Sequence, residues 1–256
     1  YITFGVPAGS LGEARPRLER VEADVVGNLH RLGVQSNPLD GQERLAVLHG
    51  QTHPGSREPF RFSWADIPRT GLGTKDAVAP NEGFDFSQPR LFRVGRYWGA
   101  ASYLQILASE LSDKLLREIL ELDAELTVTM HIQTVDQLKA IKTIKGKVSD
   151  IDKMKVEEQK KAIRAGYDPD ILPPDLITFS KDAADLLADL QSRNERMFLL
   201  TFTIINLAPS RQRLENDVFT VNGSAQKYNC AIKRLDWQQE QGYVSSLVLG
   251  YHELEI

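Results

Sequence analysis

The chain has 256 residues, of which 41% are hydrophobic and 26% are charged, a balance typical of folded globular proteins and unlike that of disordered chains. The formal net charge of −4 lacks the basic excess of a dedicated nucleic-acid binder. The only cysteine, Cys230, excludes an internal disulfide and a multi-thiolate metal site, so a reducing, cytoplasmic location is expected.

The first part of the chain predicts one strand and one long helix. Tyr1–Val6 is rich in β-forming residues and predicts a strand. Ser10 stands three residues before a glutamate, which is capping-box spacing, and Gly33 predicts the end of the helix that begins there. Pro16 predicts that the regular part of this helix starts nearer Arg15.

The next segments alternate between helices, a long irregular excursion and strands. Asp40 predicts the cap of a short helix that ends at Gly50. Gln51–Pro89 contains five of the twelve prolines and predicts little regular structure. Leu91–Leu107 predicts a hairpin, and the alternating pattern of Leu126–Ile132 predicts a half-buried strand. Between them Ser112–Leu122 predicts a helix whose inward residues are Leu115, Leu116, Ile119 and Leu120.

The second half predicts two long helices and a central strand. Asp136–Ala165 carries an apolar stripe with near-heptad spacing (Leu138, Ile141, Ile144, Val148, Ile151 and Met154). Asp175–Arg193 predicts the second helix, and Met197–Leu207, apolar on both faces, predicts a strand covered on both sides. The remaining segments predict a helix at Arg211–Tyr228 and strands at Cys230–Leu235 and Tyr243–Leu249.

This order predicts an α+β or mixed α/β fold. The expected sheet is largely antiparallel or mixed, with repeated strand–helix–strand units and long helices packed on it. Two lobes, about residues 1–123 and 124–256, are compatible with the pattern. The chain begins at Tyr1 without a methionine, and both ends are expected to be cut from a longer polypeptide.

The sequence offers no recognisable catalytic motif. A phosphate-binding loop ends in Gly-Lys-Ser/Thr, but Gly71–Lys75 has the wrong order and predicts a turn, whereas Gly146-Lys147 falls within a predicted helix. No serine stands in Gly-x-Ser-x-Gly, and Cys230 predicts a small core residue. We therefore expect no enzymatic activity, no catalytic residue and no cofactor in this chain.

Two histidines leave a metal-dependent hydrolase as an alternative. His49 and His53 are four residues apart, a spacing that places both on one face of a helix, and nearby acids such as Asp66 could complete a site. Gly50 and Pro54 argue against a continuous helix through them. Loop or partly buried histidines are therefore the favoured interpretation.

The predicted helix at 136–165 is strongly basic. It holds nine basic and five acidic residues, a local net charge of +4. Such a helix could face acidic lipid, DNA or an acidic partner, although a solvated face is the simpler interpretation. No aromatic residues interleave with the lysines as single-strand binding would require. The candidate partner-binding residues are Lys139, Lys142, Lys145, Lys153, Lys160 and Lys161.

Several segments, taken in order, resemble the amino-terminal region of conjugal-transfer ATPases of the type IV secretion class. The similarity is to the CagE/TrbE/VirB group, especially its TraE-like branch on integrative elements of Gram-positive bacteria, and it extends over essentially the whole chain. The segments are Tyr1–Val6, Glu43–Gly50, Pro59–Trp64, His131–Asp136, Lys139–Lys145, Gly166–Pro173, Leu190–Phe198, Ala225–Cys230 and Arg234–Glu240.

The resemblance implies an accessory α/β domain followed by a RecA-like motor that would start after Ile256. ATP and Mg²⁺ would bind only in that motor, and no family catalytic residue can be placed on this chain. The implied partners are the chain's own motor, membrane-associated secretion-channel subunits, and further copies in a hexamer of the full-length protein. The implied role is docking at the inner face of the cell membrane during conjugation and horizontal gene transfer. Direct nucleic-acid binding through the basic helix is the second hypothesis.

Overall fold

The computed structural model describes residues 1–56, 59–108, 111–168, 170–193 and 195–254. The fold is α+β, as predicted. The helices in the described residues are α1 Leu11–Arg31, α2 Gly41–Thr52, α3 Ile67–Thr70, α4 Thr74–Val78, α5 Asp113–Leu120, α6 Gln137–Arg164, α7 Pro174–Ser192, α8 Arg211–Gln226 and α9 Gln239–Ser246. The strands are β1 Phe84–Asp85, β2 Phe92–Val94, β3 Tyr97–Ile106, β4 Glu125–Thr134, β5 Phe198–Ala208 and β6 Cys230–Arg234.

The long strand β3 is the centre of the sheet. The strand order is β1-β2-β3-β5-β4, and β6 also pairs with β3. Along one edge, β3 pairs first with β2 and then with β6, both antiparallel. Its other edge pairs with β5, so Ser102 lies opposite both Ile204 and Arg234. This confirms the prediction of a largely antiparallel sheet with strand–helix–strand connections.

Alternate residues of β3 and β5 point into two cores on opposite faces of the sheet. One core contains Leu104 and Ile204 and is closed by Leu115 and Ile119 of α5 and Val221 of α8, all buried. The other core contains residues of the sheet and of α9 (Phe92, Val94, Ala101, Ile205, Leu207, Leu235 and Tyr243). Residues 202–208 of β5 are buried, so the prediction of a strand covered on both faces is confirmed for this part. It is wrong for the start of the strand, where Phe198, Leu199 and Leu200 are about half exposed.

Tyr243 of α9 carries a buried phenol. Its side chain is 3% exposed, its Oη donates to the Gln51 carbonyl at 3.2 Å, and burial raises its pKa above the ordinary 10.0. The folded state holds this proton more tightly than the unfolded chain, so the stabilisation is present below the ordinary phenol pKa and lost as pH rises above it.

We therefore expect the urea midpoint of the wild type to fall more steeply above about pH 10 than that of Tyr243→Phe. The matched control is Tyr1→Phe, because Tyr1 is 88% exposed and its removal should leave the wild-type slope unchanged. If the urea midpoints of the wild type and Tyr243→Phe fall equally steeply with pH, the buried Tyr243 phenol is not the cause of the fall.

The chain divides into two units that differ from the two predicted lobes. Unit 1 comprises Tyr1–Met130 and Phe202–Ile256, and unit 2 comprises His131–Thr201. The difference arises because β5 returns to pair with β3, which brings the last fifty or so residues back to the amino-terminal part. The predicted boundary near residue 123 instead places these last residues in the second lobe, because the sequence alone does not show that β5 pairs with β3. Unit 2 consists mainly of α6 and α7.

Two predicted strands are wrong. Tyr1–Val6 forms no strand; Tyr1 and Ile2 are 88% and 64% exposed, and β-forming residues without strand neighbours have nothing to pack against. Tyr243–Leu249 overlaps α9, which ends at Ser246.

Two predictions about helices also need correction. Pro16 does not delay α1, which begins at Leu11, where the Ser10 side chain accepts a hydrogen bond from the Glu13 amide. The helix continues through Pro16 without the backbone hydrogen bond that another residue at this position would donate. In α5, Leu115 and Ile119 are buried as predicted, but Leu120 is 63% exposed. The helix ends at Leu120, where its side chain has already turned away from the core.

The remaining helices follow the sequence pattern closely. Asp40 and Glu43 form the capping box of α2, but the helix continues past its predicted end at Gly50 to Thr52, with His53 as its C-cap. In the described part of residues 53–89, the regular elements are short helices and β1. No helix in the described ranges is both long enough and apolar enough to cross a membrane.

Candidate docking surface

Helices α6 and α7 pack against each other in unit 2. Ala140 and Ile144 of α6 and Leu190 of α7 are buried in their shared core, with Ile141, Val148 and Leu187 packed around them. The Gln137 side-chain amide donates to the Leu190 carbonyl at 2.7 Å, which ties the start of α6 to the end of α7. The two helices therefore form an antiparallel hairpin with its own core.

The predicted apolar stripe of α6 is only partly buried. Its middle, Ile141, Ile144 and Val148, contributes to the hairpin core, but Leu138 is 79% exposed and Met154 is 55% exposed. Steps of three residues fall short of a full helical turn, so the stripe drifts around the helix. Its two ends consequently leave the side that faces α7.

All six candidate lysines are exposed on α6. Lys139, Lys153 and Lys160 are separated by multiples of seven residues, so they lie along one line of the helix. Lys142 is one turn from Lys139, beside the same line. We call Lys139, Lys142, Lys153 and Lys160 the basic line. Lys145 and Lys161 point to either side of it.

The basic line is weakly neutralised by its surroundings. Lys153 pairs with Asp150 at 3.1 Å, whereas Lys139, Lys142 and Lys160 form no ion pair with any residue that the structure describes. Lys161 pairs with Glu158 at 2.6 Å, and this hydrogen bond raises the Lys161 pKa. At neutral pH the line thus presents charges that an acidic partner could neutralise.

Sequence reasoning missed the apolar residues beside the basic line. Val156 and Ile163 are 46% and 62% exposed, and they are seven residues apart on α6. Their spacing was available as a signal, since it repeats that of the lysines. A partner that meets the lysines would therefore also meet exposed apolar surface.

The histidine pair does not form a metal site with the predicted acids. The rings of His49 and His53 stack at 3.7 Å between centroids, so they lie parallel rather than converging on one point. His49 Nδ1 contacts the Ala77 carbonyl at 2.8 Å, and the Asp66 carboxylate accepts from Arg69. Over the described ranges, no group of three or more His, Cys, Asp or Glu residues could hold a metal ion.

Gly146 lies in a helix as predicted, but the turn predicted at Gly71–Lys75 is only partly correct, because Thr74 and Lys75 begin α4. Gly71 has φ +71° and ends α3, and Gly73 precedes α4, so this segment connects two short helices. Gly146 lies within α6. Cys230 is 2% exposed in the core, which confirms its predicted place there.

The comparisons with known proteins identify no relative. No protein-family model matches the chain, and no curated protein matches it significantly.

Proposed function

We propose that this chain is a docking domain of a conjugative DNA-transfer ATPase of the type IV secretion class. In this proposal it has no catalytic role and sits peripherally at the inner face of the cell membrane, where it binds secretion-channel subunits. The observation that carries the proposal is the basic line, which is exposed on a helical hairpin that forms a unit of its own. The ordered resemblance of many sequence segments to that class supports the choice of system.

The chemistry of the basic line determines what such a partner looks like. Lys139 and Lys160 are separated by 21 helical residues, or about 30 Å at 1.5 Å per residue. Acidic groups spaced along an extended surface would match this length better than one small anionic ligand would. The exposed Val156 and Ile163 favour a protein partner, because they supply apolar contacts beside the charged line.

Reversing the charge of the basic line is the direct test. We expect Lys142→Glu, Lys153→Glu and Lys160→Glu together to weaken binding to the secretion-channel subunits by about 10- to 100-fold, because three attractive charges become repulsive. Binding is measured with the purified chain and detergent-solubilised channel subunits at two salt concentrations. The wild-type affinity should fall as salt rises, and the variant should lose that dependence.

The matched control reverses three exposed lysines of unit 1. Lys75, Lys114 and Lys233 are all exposed, so changing them to Glu gives the same net charge without touching α6. This control should bind as the wild type does. The proposal would be refuted if both variants lost binding affinity equally, or if the wild type bound no channel subunit.

Direct nucleic-acid binding remains the second candidate, because the same line could follow a phosphate backbone. It predicts an affinity for DNA that falls steeply with salt and is lost in the same triple variant. DNA binding with this behaviour, together with no binding to the channel subunits, would replace the docking proposal. ATP turnover by the purified chain would contradict the docking proposal.

A further inference from the structure

A second side of the hairpin exposes large apolar residues from both helices. Met154 of α6 is 55% exposed, and Phe179 and Leu186 of α7 are 60% and 41% exposed. Phe179 and Leu186 are seven residues apart, so they lie on one line of α7. We call these three residues the Met154 face.

The three residues share one side because of how the helices are aligned. The Lys155 ammonium donates to the Ser180 hydroxyl, so these two positions lie on the sides of α6 and α7 that face each other. Met154 and Phe179 each precede one of these positions by one residue. In antiparallel helices, the same rotation away from the facing position leads to the same side, so Met154 and Phe179 lie on the same side of the hairpin.

Charged residues of opposite sign border this face. Lys147 and Lys161 stand seven residues before and after Met154 on α6. On α7, Asp175, Asp182 and Asp189 repeat every seven residues next to the line of Phe179. Lys161 pairs with Glu158 and Asp189 pairs with Arg193, so Lys147, Asp175 and Asp182 are the members of this border that form no ion pair with any described residue. As a whole, α6 carries a net charge of +5 and α7 a net charge of −3.

We propose that the Met154 face binds the same face of a second copy of this chain around a twofold axis parallel to the helices. This axis places α6 of each copy on α7 of the other, so the basic helix meets the acidic helix twice. In this arrangement the line of Met154 on α6 meets the partner's line of Phe179 on α7, and Lys147 lies on the side that meets the partner's aspartates. The alternative antiparallel arrangement would place α6 on α6 and α7 on α7, opposing like charges.

The dimer goes beyond the docking proposal and uses different residues. The basic line lies on another side of α6, so it stays accessible in the dimer. Asp150 and Glu158 are the acids of α6 nearest to this face, and each pairs within α6, with Lys153 at 3.1 Å and with Lys161 at 2.6 Å respectively. Failure of one proposal therefore leaves the other standing.

Sedimentation equilibrium of the purified chain tests the dimer. We expect the wild type to dimerise reversibly, and Phe179→Asp with Leu186→Asp to raise the dissociation constant at least about tenfold, since each change occurs twice in the interface. The control is Val156→Asp with Ile177→Asp. These exposed residues follow the inward-facing Lys155 and Leu176 by one position and so lie on the opposite side of the hairpin. This control should dimerise normally.

A charge exchange distinguishes this interface from nonspecific association. We expect Lys147→Glu with Lys161→Glu to weaken self-association, and Asp175→Lys with Asp182→Lys to weaken it as well. Mixed together, the two variants should form heterodimers with about wild-type affinity or better, since each restores opposite charges across the interface. Circular dichroism checks that every variant is folded. A wild type that stays monomeric, a control that dissociates as the Phe179 variant does, or the absence of heterodimers would overturn the proposal.

Discussion

Replacing Gln239 with alanine should lower the free energy of unfolding by about 3 kcal/mol. Gln239 is 2% exposed, and its side chain closes a gap in the sheet. β2 pairs with β3 up to Gly99, and β6 takes over at Ser102. Between them the Ala101 amide donates to Gln239 Oε1 at 2.8 Å, and Gln239 Nε2 donates to the Ala101 carbonyl at 3.1 Å.

The alanine variant leaves the buried Ala101 amide without its acceptor, which is why the expected loss exceeds that of an ordinary hydrogen bond. Gln239 Nε2 also donates to the Leu235 carbonyl at 2.6 Å, so the same change loosens the connection from β6 to α9. Urea denaturation measures the effect. Glu240→Ala, at an exposed position of the same helix, is the control and should change stability by less than about 0.5 kcal/mol. A Gln239→Ala loss as small as that of the control would show that the sheet does not need this side chain.

The sequence predicted the elements whose signals are local. The capping residues Ser10 and Asp40 marked the starts of α1 and α2 correctly. The apolar stripe, together with the charged stretch that follows it, predicted α6 to within a residue at each end. Caps and heptads report interactions within one helix or between neighbours in sequence. They can be recognised without knowledge of the rest of the chain.

The wrong prediction of a strand at Tyr243–Leu249 shows which information local sequence signals lack. Residues 243–249 have β-forming side chains, but the partners that decide their structure are distant. Tyr243 packs with Phe92 at 5.0 Å between ring centroids, and Gln239 bonds to Ala101. Contacts separated by more than a hundred residues can override local propensity. The long-range pairing of β5 with β3 likewise explains why the two units differ from the two predicted lobes.

The exposed surfaces of the hairpin, too, could be predicted from the sequence only in part. Six exposed lysines could be expected from a charged helix, and all six are exposed. The Met154 face could not be expected, because it requires knowing which sides of α6 and α7 face each other. The bond between Lys155 and Ser180 identifies those sides, and they place Met154 and Phe179 on one surface.

Gly242 of α9 is expected to respond to alanine in the opposite way from another helical glycine. In an exposed, uncrowded helix position, Gly→Ala stabilises by about 0.5 to 1 kcal/mol. A Cβ at Gly242, however, would lie 2.5 Å from Leu235 Cδ1 and 2.7 Å from Ala101 Cβ. Leu235 can rotate away, but Ala101 belongs to the central strand and cannot. We therefore expect Gly242→Ala to destabilise the protein by about 2 kcal/mol, since α9 must move off the sheet.

Gly223 of α8 provides the matched comparison, because a Cβ there meets nothing within 4 Å. Gly223→Ala should raise the urea midpoint while Gly242→Ala lowers it. A double-mutant cycle then tests the cause: Ala101→Gly removes the rigid obstacle, so the double variant with Gly242→Ala should be more stable than the two single effects predict, by about 1 kcal/mol. Strict additivity, or stabilisation by Gly242→Ala, would mean that α9 does not pack on β3 at this distance. The buried contacts of Gln239 would then have to be reconsidered with it, because both depend on the same approach of helix to strand.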